Sequence, residues 1–241
     1  MIHTEEYRIN SHDCDFNGAV KPSAILRYMH ETANLQMNKY GPSNEQLRAD
    51  NKAFILSKIN LSFYRTLHTF DIIRVETWAV ESKGASFYRC SRVFKGSDLI
   101  AEMVAVFALI NIAEKKLCRV TDVTFGFDTE PTMLELDLPA RFKIPEGTDL
   151  RLIGEYTVNY SDTDMNMHMN NTNYLDVYCD YLPDNKHNRV ITAVINYQAE
   201  APLGESVKIY RGRDGDGAYY FRTVRGDGSV NSESLIMTDR I

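Results

Sequence analysis

Residues 162–174 read Asp-Thr-Asp-Met-Asn-Met-His-Met-Asn-Asn-Thr-Asn-Tyr. Carboxylates, amides and the imidazole of His168 follow one another here, and an apolar helical pattern comes directly after them (Tyr174, Val177, Tyr178, Tyr181). Helix caps and Asx turns account for one or two such residues. They do not account for the histidine. The stretch therefore predicts a loop and a helix start that line a pocket.

The same pattern occurs near the beginning of the sequence. Residues 155–167 read Glu-Tyr-Thr-Val-Asn-Tyr-Ser-Asp-Thr-Asp-Met-Asn-Met, and residues 6–18 read Glu-Tyr-Arg-Ile-Asn-Ser-His-Asp-Cys-Asp-Phe-Asn-Gly. Six positions are identical at a constant offset of 149, since 162 − 13 = 149. This similarity indicates an internal duplication.

Each copy is followed by the pattern of one helix and four strands. In the first half, apolar residues recur at helical spacing between Pro22 and Gly41, and strand-like runs cover 53–65, 70–81, 85–95 and 99–112. In the second half, a strand at 152–160 leads to a helix at about 171–182 and to strands at about 189–199, 205–212, 217–225 and 232–239. A helix lying across an antiparallel sheet buries the apolar sides of both elements. We therefore predict an α+β fold.

The pattern divides the chain into two domains. We assign residues 1–125 to the first domain and 149–241 to the second. Residues 126–148 lack a periodic apolar pattern and contain three prolines, so we interpret them as a linker.

Composition excludes several classes of protein. The formal net charge of −6 argues against binding nucleic acid through bulk charge. The four cysteines are dispersed, so we expect no metal, no redox motif and no cofactor. No apolar run approaches the roughly 20 residues that span a bilayer. Residues 1–10 are polar and charged, which predicts no signal peptide and a cytoplasmic location.

The motif Asp-x-Asp-x-Asn-x-His-x-Asn-Asn-x-x-Tyr at residues 162–174 resembles that of the acyl-ACP thioesterases, which release fatty acids from acyl carrier protein (ACP). Three further stretches are similar to the same family: Val75-Glu76-Thr77-Trp78, residues 111–122, and residues 195–200. The resemblance covers nearly the whole chain. It implies two fused hotdog domains, each a long helix wrapped by an antiparallel sheet.

The resemblance also implies catalytic roles for Asp164, Asn166, His168 and Glu200. Many plant relatives have a cysteine directly after the glutamate. Here that position is Ala201, so the chemistry of this chain requires no thiol there.

Thioester hydrolysis needs an activated water or a nucleophile, a donor to the developing oxyanion, and a proton for the thiolate. Glu200 or Asp164 can activate water, or Glu200 can attack directly and form an anhydride. His168 can orient the carboxylate and carry the proton. The Asn166 amide can donate to the thioester oxygen, assisted by a backbone N–H at the helix start near Asn170–Asn171. The sequence leaves water attack and the anhydride both open.

The first copy lacks the histidine. The residue aligned with His168 is Ala19, since 168 − 149 = 19. We therefore predict that the N-terminal half is non-catalytic, that it supplies part of the acyl tunnel, and that its aspartates form turns.

An acidic carrier protein should dock on basic residues. Two runs provide them: Arg89, Arg92 and Lys95 in one, and Lys115, Lys116 and Arg119 in the other. The family resemblance implies acyl-ACP as the partner of a monomer or homodimer, and we expect one of these two clusters to form part of the docking patch. The alternatives are an acyl-CoA thioesterase, a hotdog hydratase or dehydratase, and a non-enzymatic regulator that binds acyl thioesters.

Overall fold

The computed structural model describes residues 1–137 and 142–240. Within these ranges, the helices are α1 (Pro22–Tyr40), α2 (Asn44–Ala49) and α3 (Asn173–Asp180). The strands are β1 (His3–Arg8), β2 (Lys52–Phe63), β3 (Ile72–Val80), β4 (Ser86–Lys95), β5 (Asp98–Asn111), β6 (Lys116–Leu117), β7 (Arg151–Thr157), β8 (Asn188–Tyr197), β9 (Ser206–Arg213), β10 (Tyr219–Val224) and β11 (Val230–Arg240).

The strands form a continuous antiparallel sheet in the order β1-β3-β4-β5-β2-β8-β11-β10-β9-β7, with β6 paired to the end of β5. Each half has the same topology, in which its second strand lies at the centre of the whole sheet. The halves join where β2 pairs with β8, from Lys58 opposite Asn196 to Ser62 opposite Thr192. The shared topology supports the duplication that the sequence indicates.

Helix α1 begins and ends at residues suited to those positions. Pro22 occupies the first turn, where its missing N–H costs no hydrogen bond. Gly41 follows the last turn with a φ of 81°, and its N–H donates to the Met37 carbonyl at 2.8 Å. Between these ends, Leu26 and Met29 are fully buried against the sheet.

The second long helix is shorter than the sequence pattern predicts. The apolar spacing extends to residue 182, but α3 ends at Asp180. The N–H groups of Tyr181 and Leu182 bond to carbonyls three residues back, which is a tighter turn than an α-helix. Pro183 follows, and a proline cannot continue the hydrogen-bond pattern.

One hydrophobic cluster crosses the boundary between the halves. Ile59 on β2 and Ile195 on β8 lie opposite each other and are completely buried. The two helices also touch, because Ser23 and Arg27 of α1 both donate to the Asp176 carboxylate of α3 (Arg27 Nη2 to Oδ2, 2.5 Å). The halves therefore share a core.

Beyond Phe127, which packs in one cluster with Met37 of α1, the segment after the first half packs against the opposite face of the sheet. Side chains alternate between faces along a strand, so Trp78 points away from the helix. Its indole nitrogen donates to the Thr132 carbonyl at 3.0 Å, and its ring packs in one cluster with buried Leu134. Phe142 packs in the same manner on the second half, next to Val194.

Candidate active site

The polar loop folds into a tight turn that has the same geometry in both copies. In the second copy the Met167 N–H donates to the Asp164 carbonyl, and the Asp164 N–H donates to the His168 carbonyl, both at 3.0 Å. In the first copy Gly18 and Asp15 make the equivalent bonds. Gly18 has a φ of 74° and Met167 a φ of 62°. Glycine adopts this left-handed conformation freely, whereas methionine is strained in it.

Asp164 and Asn166 form one pair of the predicted site residues. The Asp164 carboxylate accepts from the Asn166 backbone N–H at 2.8 Å and from its side-chain Nδ2 at 3.3 Å. The amide oxygen of Asn166 accepts from Arg48 Nη2 on α2. Because a guanidinium only donates, this contact fixes which end of the amide carries the N–H groups. One of the two Nδ2–H donors is therefore left for another acceptor.

His168 and Glu200 form a second pair. His168 Nδ1 and Glu200 Oε2 lie 3.3 Å apart, with the imidazole 31% exposed and the carboxylate 58% exposed. The contact arises because the loop pairs with the chain just beyond β8. The Met169 N–H donates to the Ala201 carbonyl at 2.8 Å, and His168 lies opposite Pro202.

The structure therefore brings the four predicted residues to one loop and the strand end beside it. Among the residues of the two described ranges, no side-chain hydrogen bond links the Asp164–Asn166 pair to the His168–Glu200 pair. Of the backbone N–H groups expected to assist near Asn170–Asn171, that of Asn170 already donates to the Asp162 carbonyl at 2.8 Å. Arg48 was missed, since nothing in the sequence links it to a residue 118 positions away.

At the positions of His168 and Glu200, the first copy has neither an imidazole nor a carboxylate. The Val20 N–H donates to the Leu67 carbonyl, just as the Met169 N–H donates to the Ala201 carbonyl. Thr66, which directly precedes Leu67, therefore occupies the position of Glu200. Ala19 occupies the position of His168. Asp15 accepts from the N–H groups of Asn17 and Ala19, at 2.8 and 3.1 Å, and so has a turn-forming role. A cavity of about 550 Å³ adjoins this loop.

A second cavity, of about 760 Å³, lies in the N-terminal half between α1 and the sheet. Four phenylalanines contribute to its wall: Phe54, Phe87, Phe107 and Phe125. Neither His168 nor Glu200 is among the described lining residues of either cavity. The larger cavity nevertheless adjoins the loop through α2, because Asn44 lines it and Arg48, one turn along, contacts Asn166. We call it the phenylalanine cavity.

The predicted basic runs differ in their accessibility. Arg89 is 7% exposed and lines the phenylalanine cavity, so its expected role in a docking patch was wrong. Arg92 and Lys95 are paired with Glu102 and Asp71, at 2.8 and 2.7 Å. The lysines at 115 and 116 are exposed.

Residues 1–137 and 142–240 contain no group of three or more His, Cys, Asp or Glu side chains arranged to hold a metal ion. No helix in those ranges combines the length and apolarity needed to cross a membrane.

Two duplicated helix-on-sheet units, joined edge to edge, define a double-hotdog fold, and its second polar loop carries a histidine–carboxylate pair. Sequence profiles of the acyl-ACP thioesterase family match most of the chain, with the N-terminal domain at residues 1–125 and the C-terminal domain at 146–235. The chain belongs to the acyl-ACP thioesterase family, a family of thioester hydrolases. The predicted family and fold class are thus confirmed.

Individual relatives are distant in sequence. A chloroplastic palmitoyl-acyl carrier protein thioesterase of Gossypium hirsutum is 19% identical over 191 residues, which are 73% of this chain and 46% of the relative. The chain thus spans about half the length of that curated relative.

Solved structures show the same fold along the whole chain. An acyl-ACP thioesterase from Bacteroides thetaiotaomicron is 19% identical, with a TM-score of 0.89 and coverage of 99% of this chain and 98% of that one. A 12:0-ACP thioesterase from Umbellularia californica is 14% identical, with a TM-score of 0.84 and coverage of 100% and 98%. At these identities the likeness concerns the fold alone.

Proposed function

We propose that this chain hydrolyses the thioester of acyl-ACP to free fatty acid and ACP, ending fatty-acid elongation, with Asp164, Asn166, His168 and Glu200 as its active site. The observation that carries the proposal is the 3.3 Å contact between His168 and Glu200 on the loop that bears the family motif. An imidazole and a carboxylate in contact are suited to proton transfer near neutral pH.

Glu200 and His168 divide the proton chemistry. Glu200 takes a proton from the attacking water, or attacks the thioester carbonyl itself to give an anhydride that water then opens. His168 holds the carboxylate through Nδ1 and moves the proton toward the departing thiolate. Both routes start from the same contact.

Asn166 stabilises the charge that develops on the thioester oxygen. Its remaining amide N–H is the donor, and Asp164 and Arg48 hold the amide plane from its two sides. A single donor of this kind contributes about 100- to 1000-fold to the rate. Arg48 is a positioning residue, because it contacts Asn166 and not the reacting atoms.

The phenylalanine cavity receives the acyl chain. Four phenylalanine rings line it, its size is common for ligand sites, and α2 connects its wall to Asn166. The N-terminal half then acts as the acyl-binding half and the C-terminal half as the catalytic one. Ala19 and Thr66 support this division, since neither can transfer a proton as His168 and Glu200 do.

The enzyme works in the cytoplasm, as a monomer or homodimer. The four cysteines are free, as is usual in a reducing compartment. The pairing of β2 with β8 provides within one chain the sheet partner that a single hotdog domain gains by dimerising.

Release of free thiol from acyl-ACP, compared with matching acyl-CoA, tests the proposal. We expect turnover by the wild type that favours the carrier substrate, and a decrease of at least about 100-fold in His168→Ala and Glu200→Gln. The matched control is His68→Ala, which removes the histidine beside the first loop and should leave the rate unchanged. Absence of hydrolysis by folded wild type, or full activity of His168→Ala, would refute the proposal.

A further inference from the structure

The wall of the phenylalanine cavity contains one buried cation. Arg89 lies on β4 and is 7% exposed. Its neighbours on the adjacent strands are small: Ala79 on β3 and Ala105 on β5. These alanines leave room above the sheet for the guanidinium, which lies in the same wall as the phenylalanine rings.

Only some of the hydrogen-bond donors of this guanidinium have acceptors in the protein. Nη1 donates to Gln36 Oε1 at 2.6 Å and to Thr77 Oγ1 at 3.2 Å, and both acceptors are neutral. A guanidinium has five N–H donors. Within the part of the chain that the structure describes, Nε and Nη2 have no acceptor, and no carboxylate forms an ion pair with Arg89.

The charge of Arg89 persists despite its burial. Burial lowers the pKa of Arg89 to about 10, which keeps the side chain protonated at neutral pH. Glu81 also lines the cavity, but it is exposed and is not an ion-pair partner of Arg89 in residues 1–137 and 142–240. A buried cation without a counter-ion is strongly unfavourable. A plain hydrocarbon chain in this cavity would leave the cation in that state.

We propose that Arg89 is a specificity-determining residue that receives an oxygen acceptor on the acyl chain, so that the enzyme prefers acyl thioesters carrying a hydroxyl, oxo or carboxylate group over plain hydrocarbon chains. The inference rests on the proposed function, because it takes the phenylalanine cavity as the acyl site. The four phenylalanines bind the methylene groups, and the free donors of Arg89 bind the oxygen.

The kinetic test uses acyl-ACP substrates in matched sets. At each of several chain lengths, the set contains the plain chain, its hydroxylated and oxo forms, and the form ending in a carboxylate. We expect the wild type to favour one oxygenated form by about 10- to 100-fold in kcat/KM, the usual range for a charge-assisted hydrogen bond. The form favoured identifies the oxygen group.

Two substitutions at Arg89 separate charge from shape. Arg89→Met keeps an unbranched chain but removes the donors, so we expect kcat/KM for the oxygenated form to fall to that for the plain chain and the preference to disappear. Arg89→Lys keeps the charge and should retain part of the preference. A wild type that favours the plain chain at every length, or the same preference in Arg89→Met, would overturn the proposal.

A binding experiment keeps this inference separate from the proposed function. The probes are acyl-pantetheine analogues with an amide in place of the thioester, in the same plain and oxygenated sets, titrated by calorimetry. We expect tighter binding of an oxygenated analogue by wild type and equal affinities in Arg89→Met. If the wild type hydrolyses no thioester, the proposed function fails. The ratio of binding affinities then still decides the role of Arg89.

Discussion

At the scale of single residues, the two copies of the polar loop share a backbone and differ in their reactive groups. Asp15 and Asp164 accept from the N–H two residues later at the same distance, 2.8 Å. The turn thus accounts for this contact in both copies, and Asp164 additionally accepts from the Asn166 side chain. His168 and Glu200 are not required by the turn, because the first copy forms it with Ala19 and Thr66. The histidine–glutamate pair is therefore the feature that needs a chemical explanation.

The two asparagines at equivalent positions provide a matched prediction. Asn166→Ala should lower kcat by about 100- to 1000-fold, because it removes the donor to the thioester oxygen. Asn17→Ala removes the equivalent amide from the first copy and should leave kcat unchanged. Thiol release under saturating acyl-ACP measures both. Equal losses in the two variants would contradict the assignment of Asn166.

The half-buried His30, whose Nε2 is shielded from solvent, predicts how stability changes at acid pH. Burial lowers the pKa of His30 to about 4, with a further contribution from the charge of Arg89, and its Nε2 has no partner among the described residues. A pKa below the unfolded value of 6.5 means that the unfolded state binds the proton more tightly. Stability contributed by neutral His30 is therefore lost as the pH falls from 6.5 toward 4.

We expect His30→Leu to reduce this acid dependence. At pH 5, relative to pH 7, the wild type should lose about 2 kcal/mol more of its free energy of unfolding than the variant. Urea unfolding at the two pH values measures the difference. His12→Gln, at an exposed histidine, serves as the control and should follow the wild type. Parallel pH profiles for His30→Leu and wild type would contradict the prediction.

At the scale of elements, the segment that follows residue 125 begins with a close approach of Gly126 to the end of α1. The Gly126 N–H donates to the Gly41 carbonyl at 3.0 Å, just after α1. A Cβ at Gly126 would overlap the Tyr40 carbonyl oxygen. The segment that follows, which includes buried Phe127, can therefore pack only if residue 126 has no side chain.

Gly126→Ala should consequently lower the free energy of unfolding by about 3 kcal/mol. The control is Gly215→Ala, where an added Cβ meets nothing within 4 Å. Thermal unfolding followed by circular dichroism compares the two variants. A Gly126→Ala protein as stable as its control would show that the segment moves away without cost.

Most strands were predictable because polar and apolar residues alternate along them, and β5 was predictable because nearly all of its residues are apolar. The run at 85–95 corresponds to β4 at Ser86–Lys95, and the run at 99–112 to β5 at Asp98–Asn111. The surroundings of Arg89 were not predictable, because they depend on alanines from two neighbouring strands. Periodicity gives the faces of a strand, whereas the pairing of strands decides what each face contacts.

The candidate site was predictable only in part. The motif identified the polar loop, and the family resemblance identified Glu200 as a candidate site residue. The contact of Arg48 with Asn166 depends on how α2 of one half meets the loop of the other. No local pattern encodes such a contact. Similarly, the free N–H expected at Asn170 is used by a turn that only the folded loop reveals.

At the scale of the whole molecule, the shared core predicts a single unfolding transition. Trp78 is the one tryptophan of the sequence and lies in the first half, so its fluorescence reports on that half. Phe221 is completely buried in the second half, with its ring centroid 5.0 Å from that of Tyr178. The continuous core should transmit a defect at Phe221 to Trp78.

Phe221→Ala should therefore lower the midpoint of the Trp78 transition, with a loss of about 4 kcal/mol in the free energy of unfolding. Circular dichroism, which reports on both halves, should give the same midpoint. If Trp78 unfolds at the wild-type midpoint while circular dichroism shows an earlier transition, the halves unfold independently.

The charge on the surface predicts where the acidic carrier docks. Lys115 and Lys116 lie on the turn between β5 and β6, which is tied to the end of α2 by the Ile112 N–H donating to the Asn51 carbonyl at 2.7 Å. Arg48 lies on the same helix. The turn that carries these lysines is thus connected through α2 to the arginine that contacts Asn166.

Reversing both charges, Lys115→Glu with Lys116→Glu, should raise KM for acyl-ACP by about 10-fold and leave KM for a small acyl thioester unchanged. The control reverses two exposed lysines of the second half, Lys186→Glu with Lys208→Glu. Steady-state kinetics at low salt, where surface charges are least screened, measures the difference. An equal effect on both substrates would exclude this docking site.

The pairing of β2 with β8 within one chain has a consequence for inheritance. In a dimer of identical chains, one gene specifies both loops, so every substitution appears twice. Here each loop has its own codons. A substitution that would disable both sites of a symmetric dimer alters only one copy in this chain. The central strand pair thus preserves the geometry of a two-fold assembly, while the two halves can differ in sequence at every position.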